Sequence, residues 1–299
     1  MVSRVPIDGS DGGRELVAVC LPARDEATTI GPIVTAIREA LVERTGLVDE
    51  IVVIDDGSRD DTARVASAAG ARVVAEASIL PELPSGSGKG NALWKSLYAC
   101  EGDIICWLDA DIRNFDPEFV TRLVRPLLDD SRVQFTKAYY RRPLHGEPSG
   151  GGRVTELVAR PLISHWFPAL RDIVQPLSGE YAGRREILEA LPFVEGWGVE
   201  LGLLVDLAQR YGRDAITQVD LGVREHRNRP LEELGPQAFA ILLAALRRAG
   251  VDDVAPVAAE LVRFDDEHER VAVSVEVRER PPIRTIPAYR ARFGRELTA

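Results

Sequence analysis

Apolar positions along the chain fall into two alternating rhythms. Glu15–Leu21 is a short continuous apolar run centred on LVAVCL and predicts a buried strand. Thr28–Glu43 follows with Ile30, Ile33, Val34, Ile37 and Leu41 at helical spacing. The same pair of rhythms recurs, with strands predicted at Ile51–Ile54, Ala71–Ala75, Asp103–Leu108 and Arg132–Tyr140. Helices are predicted between them at Asp60–Ala69, Asn91–Cys100 and Pro117–Leu128. Such alternation predicts βαβ units, and so an α/β fold with a Rossmann-like, mainly parallel sheet flanked by helices. Open sheets of this kind bind ligands at the carboxyl ends of their strands, so chemistry is expected in the loops that follow strands.

The second half is less regular. Helical spacing is predicted for Val154–Arg160, Arg184–Leu191, Val199–Tyr211 and Leu231–Ala249, a helical turn for Ala255–Glu260, and strands for Ala215–Val223 and Val271–Val277. We divide the chain into a disordered head (1–14), a regular first half (15–140), a less regular second half of the same domain (141–250) and a C-terminal tail (251–299). The long amphipathic segment Leu231–Ala249 and the alternating Val271–Val277 are candidates for a homodimer contact.

Charge narrows the partners. The formal net charge of −10 argues against nucleic acid, whose binding needs a basic surface. No apolar run is long enough to span a bilayer, and Met1–Arg14 lacks the apolar core of a secretory signal, so a cytoplasmic protein is expected. The three cysteines form no C-x-x-C pair and read as reduced, buried small hydrophobes.

Four loops after strands carry the candidate chemistry. Asp109-Ala110-Asp111 directly follows an apolar strand, and carboxylates at i and i+2 face the same way on extended backbone. Such a pair suits one Mg²⁺ or Mn²⁺, which neutralises a departing diphosphate. A bare D-x-D is otherwise a common turn. Asp55-Asp56-Gly57-Ser58 also follows a strand; its Asp residues suit a ribose or a base NH, or only the turn and cap of the next helix. Pro22-Ala23-Arg24-Asp25-Glu26 follows the first strand, where Glu26 reaches a ribose hydroxyl or merely supplies the acidic first turn of a helix. Ser85–Ala92 is Gly-rich but no P-loop, because Leu83 and Gly90 stand where that motif needs Gly and Ser or Thr. Nor is it a dinucleotide fingerprint, since Asn91 replaces the third Gly. It presents Lys89 at a helix start.

The second half supplies cations. Gly150–Thr155 is a glycine run opening a helix, where free backbone NH groups, Arg153 and Thr155 suit phosphate or carboxylate. Arg224–Arg229 gathers three arginines and His226, with the imidazole a candidate third metal ligand. Lys137–Arg142 adds three more cations. Trp197, between glycines, suggests an aromatic wall, and Glu200 binds sugar hydroxyls or only satisfies a helix dipole. Such an arginine set suits a small acid carrying both phosphate and carboxylate.

The order P-A-x-D-E, D-D-G-S, G-K-G-N-A and D-x-D resembles the GT-A glycosyltransferases. The runs GGGRVTELVARPL from Gly150, QPLSGEYAGRREIL from Gln175, GWGVELGLLVD from Gly196 and LGVREHRNRPLEELG from Leu221 resemble the actinobacterial glucosyl-3-phosphoglycerate synthases. That resemblance covers most of Glu15–Gly235. It implies metal-dependent transfer of glucose from UDP-glucose to the 2-hydroxyl of D-3-phosphoglycerate with retention of configuration. By similarity, Pro22, Ala23, Glu26, Asp56, Lys89, Asp109, Ala110 and Trp197 hold the donor. Asp111 and His226 hold the metal, and Gly152, Arg153, Thr155 and Asn228 hold phosphoglycerate. Leu177, Glu200 and Arg224, with Asp111, line the reacting centre. Asp56 stands where those relatives carry serine and Trp197 where they carry tyrosine, which leaves GDP-mannose, the donor of the related mannosyl-3-phosphoglycerate synthases, as the alternative. A non-catalytic nucleotide-sugar module would lack the metal carboxylates, and a nucleotidyltransferase would carry a Gly-rich loop where Pro22–Glu26 stands.

Overall fold

The computed structural model describes residues 14–144, 147–150, 152–225, 230–251, 258–265 and 267–294. The expected head therefore lies outside the described residues except for Arg14, which donates to the Gly46 carbonyl at 2.7 Å.

The first half alternates as the pattern predicts: β1 (Val17–Ala23), α1 (Ile30–Ile37, continued by a π-helical segment Arg38–Arg44), β2 (Glu50–Asp55), α2 (Thr62–Ala69), β3 (Arg72–Ala75), α3 (Gly88–Ala99), β4 (Ile104–Trp107), α4 (Glu118–Asp129) and β5 (Phe135–Arg141). A short hairpin follows, β6 (Pro143–Leu144) and β7 (Glu147–Gly150), then a π-helical turn Thr155–Ala159 running into α5 (Arg160–Trp166). Next come β8 (Tyr181–Arg184), α6 (Arg185–Leu188), β9 (Phe193–Val194), α7 (Val199–Tyr211), β10 (Ile216–Val223) and α8 (Leu231–Arg248). The chain closes with β11 (Ala258–Phe264), β12 (Arg270–Glu276), β13 (Glu279–Arg280) and α9 (Pro287–Phe293).

Seven strands form one sheet in the order β10-β5-β8-β4-β1-β2-β3. All neighbours are parallel except β8, which runs antiparallel between β4 and β5. The sheet thus takes strands from both sides of position 140. The sequence pattern does not predict the strand Tyr181–Arg184, which is only four residues long; at its Gly183 the Phe135 ring comes to 3.0 Å of where a Cβ would stand. Ala255–Glu260 is not a helical turn where it is described. Ala258–Phe264 is a strand, paired from Ala258↔Glu276 to Phe264↔Arg270. Its period-2 alternation turns Ala259 and Leu261 onto α8, and residues 252–257 lie outside the described set.

Side chains pack on both sheet faces. One face carries α1 and α4, with Ile30, Ile33, Leu123 and Leu127 buried; the other carries α3, α5, α7 and α9, with Trp94, Leu97, Ile163, Leu204 and Tyr289 buried. Each such side chain contributes roughly 1.5–3 kcal/mol of transfer free energy. A third cluster joins Leu243 and Ala244 of α8 to Val275 and Val277, so both segments considered for a dimer contact pack on each other within the chain. No described helix is long and apolar enough to cross a membrane.

Arg185, buried at the start of α6, anchors α3 from below. It donates to the carbonyls of Leu97, Cys100 and Gly102 at 2.7, 2.8 and 2.6 Å. The last carbonyls of a helix have no partner within it and favour a cation, so this contact fixes the helix whose other end carries Lys89.

Candidate active site

Parallel pairing brings the carboxyl ends of β1, β2 and β4 to one edge of the sheet. Val17–Cys20 are in register with Ile104–Trp107, and Ala18–Ala23 with Glu50–Asp55. The loops that follow are therefore neighbours. Asp56 N donates to the Ala23 carbonyl at 2.9 Å, Asp25 N donates to Ser58 Oγ at 3.0 Å, and Arg59 N donates to Asp25 Oδ1 at 2.7 Å. Asp25 adopts φ 56°, a conformation that aspartate tolerates better than most residues.

A cavity of about 470 Å³ opens over this edge. Pro22, Ala23, Glu26, Asp56, Lys89, Asp109, Ala110 and Asp111 from the first half of the chain line it, as do Gly152, Arg153, Thr155, Leu177, Trp197, Glu200 and Arg224 from the second. Every predicted site residue within the described set faces this one cavity. His226 and Asn228, with Arg227 and Arg229, lie outside the described residues.

At the floor a charged network ties both halves together. Lys89 Nζ lies 2.6 Å from Asp109 Oδ1 and 2.9 Å from Glu200 Oε1. Arg224 Nη2 donates to Asp109 Oδ2 and to Asp111 Oδ1, each at 2.9 Å, while its Nε lies 2.8 Å from Glu180 Oε1. Burial alone would discharge such groups, and opposite charges outweigh it here. Burial pushes the Asp109 carboxyl up, but Lys89 and Arg224 hold it well below the usual carboxylate range. Burial likewise lowers Lys89, but Asp109 and Glu200 keep it well above its ordinary value. Glu180 goes the other way: it is fully buried, and that burial raises its carboxyl despite Arg224. Glu200 therefore does more than satisfy a helix dipole, since it is the second counter-charge of Lys89.

Two glycines allow this closeness. A Cβ on Gly179 would fall inside the Asp109 carboxylate, and one on Gly90 inside the Val194 carbonyl oxygen. Lys137, 1% exposed, supports the Leu177 turn by donating to the Ser178 carbonyl at 2.7 Å, and its ammonium stands 4.3 Å from the Tyr181 ring centre. Burial pulls its pKa down to about 7.

Sequence reasoning missed several members. Glu180 lies inside a motif run but was assigned nothing, because only the fold brings it beneath Arg224. Arg24 also lines the cavity, as do Leu234, Gln237 and Ile241 of α8, whose spacing of three and four along that helix was the available signal, while Arg142, one of the cations expected in Lys137–Arg142, joins the lining.

Fold and site together define a nucleotide-sugar glycosyltransferase, and comparison with known proteins agrees. The profile of glycosyl transferase family 2 matches residues 18–179. The glucosyl-3-phosphoglycerate synthase of Petrotoga mobilis is 46% identical over 94% of this chain and 90% of its own length. The glucosyl-3-phosphoglycerate synthase of Mycobacterium tuberculosis, solved with Mn²⁺, UDP-glucose and phosphoglyceric acid, superposes with a TM-score of 0.83 at 46% identity over 91% of each chain. A second structure of that enzyme, with Mg²⁺ and UDP, gives a TM-score of 0.83 over 91% of this chain and 92% of that one. The chain belongs to glycosyl transferase family 2 and, within it, to the glucosyl-3-phosphoglycerate synthases.

Proposed function

We propose that this chain transfers glucose from UDP-glucose to the 2-hydroxyl of D-3-phosphoglycerate, with retention at the anomeric carbon and with Mg²⁺ or Mn²⁺. The observation that carries the proposal is that the loops after β1, β2 and β4 and the glycine loop at Gly152–Thr155 line one cavity, in which Arg224 bonds to Asp109 and Asp111. The relatives' complexes with UDP-glucose, phosphoglyceric acid and either metal support it.

The donor set fits a hard divalent cation. Both oxygens of Asp109 are engaged, one by Lys89 and one by Arg224. Asp111 has one oxygen on Arg224 and is a third exposed in the cavity lining, which supports the reading that it would hold the metal together with His226. A set of two protein ligands would leave positions for phosphate oxygens, as Mg²⁺ prefers. When bound, the metal supplies positive charge to the departing diphosphate.

The protein's own residues do the rest. Pro22, Ala23, Glu26 and Asp56 hold base and ribose, and Asp109 and Ala110 bound the ribose side. Lys89 and Arg224 are fixed before substrate arrives, so their charge meets the leaving diphosphate without reorganisation. Glu200 and Trp197 hold the sugar. Gly152, Arg153, Thr155 and Asn228 take the acceptor's phosphate and carboxylate, and Leu177 places its hydroxyl near the anomeric carbon. A cytoplasmic location belongs to this proposal, since both substrates are phosphorylated and do not cross a bilayer unaided. So does a homodimer, through the hairpin face that exposes Val262 and Phe264.

Product formation from 3-phosphoglycerate, run in parallel with UDP-glucose, GDP-glucose and GDP-mannose, tests the donor. Turnover with UDP-glucose at least about tenfold above the others supports the proposal. Preference for GDP-mannose overturns the donor assignment while leaving the acceptor assignment standing.

A further inference from the structure

The glycine-rich segment that leads into and opens α3 is built as a packing surface. A Cβ on Gly86 would fall on the Arg280 guanidinium, one on Gly88 would stand 2.9 Å from Gly196 Cα, and one on Gly90 would fall inside the Val194 carbonyl. Three alternating glycines thus seat the start of α3, which carries Lys89, on β9, on the Gly196–Gly198 turn that carries Trp197, and on β13.

One side chain closes this seat. Arg280 Nε donates to Asn91 Oδ1 at 2.8 Å and lies 2.8 Å from Glu195 Oε1, and its Nη2 donates to the Pro84 carbonyl at 2.9 Å. It is 7% exposed, with its guanidinium 5.3 Å from the Trp94 ring centre. Asn91 in turn donates to Glu76, so its amide is satisfied at both ends. The backbone fixes Arg280 from the other side: β13 pairs β9 at Arg280↔Phe193, and Glu195 N donates to the Arg278 carbonyl at 2.8 Å. Planar guanidinium donors hold several acceptors at set angles, which a lysine does not do.

We propose that Arg280, in the C-terminal segment and outside the cavity lining, is a positioning residue for the donor. It locks the entry and first turn of α3, which carry Lys89 (through Pro84 and Asn91), to the Trp197 turn (through Glu195). Capture of the diphosphate and contact with the sugar then occur on one rigid unit. The inference rests on the donor reading given above.

The test uses the full chain with Arg280→Ala and Glu195→Gln. Calorimetry gives the Kd for UDP-glucose with Mg²⁺, steady-state kinetics give KM for each substrate, and thermal melting reports folding. Arg280→Ala is expected to raise Kd and KM for UDP-glucose by about tenfold or more, because small misplacements of binding groups cost that much, and to leave KM for 3-phosphoglycerate within about twofold. Glu195→Gln is expected to shift the same two constants in the same direction by about threefold. A merely structural role would lower the melting temperature and the active fraction without splitting the two KM values. Folded variants with the wild-type Kd for UDP-glucose overturn the proposal, and Glu195→Gln decides alone if Arg280→Ala does not fold. A wild type that ignores UDP-glucose but binds another nucleotide sugar refutes the donor reading instead, and the Kd ratio measured with that sugar then decides on Arg280.

Discussion

Replacing Arg224 with leucine strands a carboxylate. The Arg224 side chain is 4% exposed and its partner Glu180 is 0% exposed, with 2.8 Å between Nε and Oε1. Removing one member of a buried ion pair costs about 3–5 kcal/mol, mostly through the charge left behind. At roughly 2–4 °C per kcal/mol for a domain of this size class, the melting temperature should fall by about 6–20 °C. The pH dependence follows from Glu180. Burial already raises its folded pKa above the ordinary 4.5 against the pull of Arg224, and loss of the guanidinium raises it further. A carboxyl with a raised folded pKa stabilises fully below its unfolded value and loses that contribution as pH rises. The single variant is therefore worst at high pH and recovers as pH falls toward 4.5. Adding Glu180→Leu removes the stranded charge and should restore most of the melting temperature. Turnover should stay low in both variants, since Asp109 and Asp111 have lost their shared guanidinium. Thermal melts at pH 5, 7 and 9, with turnover at saturating Mg²⁺, separate these effects. An unchanged melting temperature for the single variant at pH 9, or a double variant as active as wild type, would refute the reasoning.

Three further outcomes are expected. Asp111→Ala should lose about 10³-fold or more in kcat at saturating metal with an unchanged melting temperature, and full turnover would deny the metal a central role. Arg153→Ala should raise KM for 3-phosphoglycerate by about tenfold or more with KM for UDP-glucose nearly constant, as loss of a charge-assisted contact to an anion demands; an equal rise in both would place Arg153 elsewhere. Lys137→Met should change stability against pH. With its folded pKa held down to about 7 by burial, Lys137 contributes stability that is complete above the ordinary 10.5 and lost as pH falls through about 7. Urea unfolding should show the wild type gaining on the variant between pH 7 and 10, by on the order of a few kcal/mol, and parallel profiles would contradict a buried, easily discharged Lys137.

The sheet was legible because its parallel strands are buried on both faces and read as unbroken apolar runs, such as Ile51–Ile54 and Ile104–Trp107. Lys89, Asp109 and Asp111 were legible for a related reason: Asp109 and Asp111 sit in a loop, and Lys89 at a helix start, that the alternation places at one sheet edge. Tyr181–Arg184 was not, since a four-residue strand with a central glycine has no periodicity to detect, and its direction depends on two neighbours distant in sequence. Glu180 stayed hidden with it, because its partner is 44 positions away and no local pattern marks a buried carboxylate. The C-terminal segment misled more. Ala258–Phe264 looks helical at its start, yet pairing with Arg270–Glu276 makes it a strand, and β13 places Arg280 beside a loop nearly two hundred residues earlier.

The central claim is that one cavity brings UDP-glucose and 3-phosphoglycerate together for transfer. Carbon-13 NMR of the reaction with UDP-glucose labelled at the anomeric carbon, 3-phosphoglycerate and Mg²⁺ tests it most directly. The expected result is a single new α-anomeric signal, distinct from that of UDP-glucose and showing three-bond coupling to H2 of the glycerate, absent without acceptor and lost in Asp111→Ala. Free glucose, a β-linked product, or no new signal would contradict it.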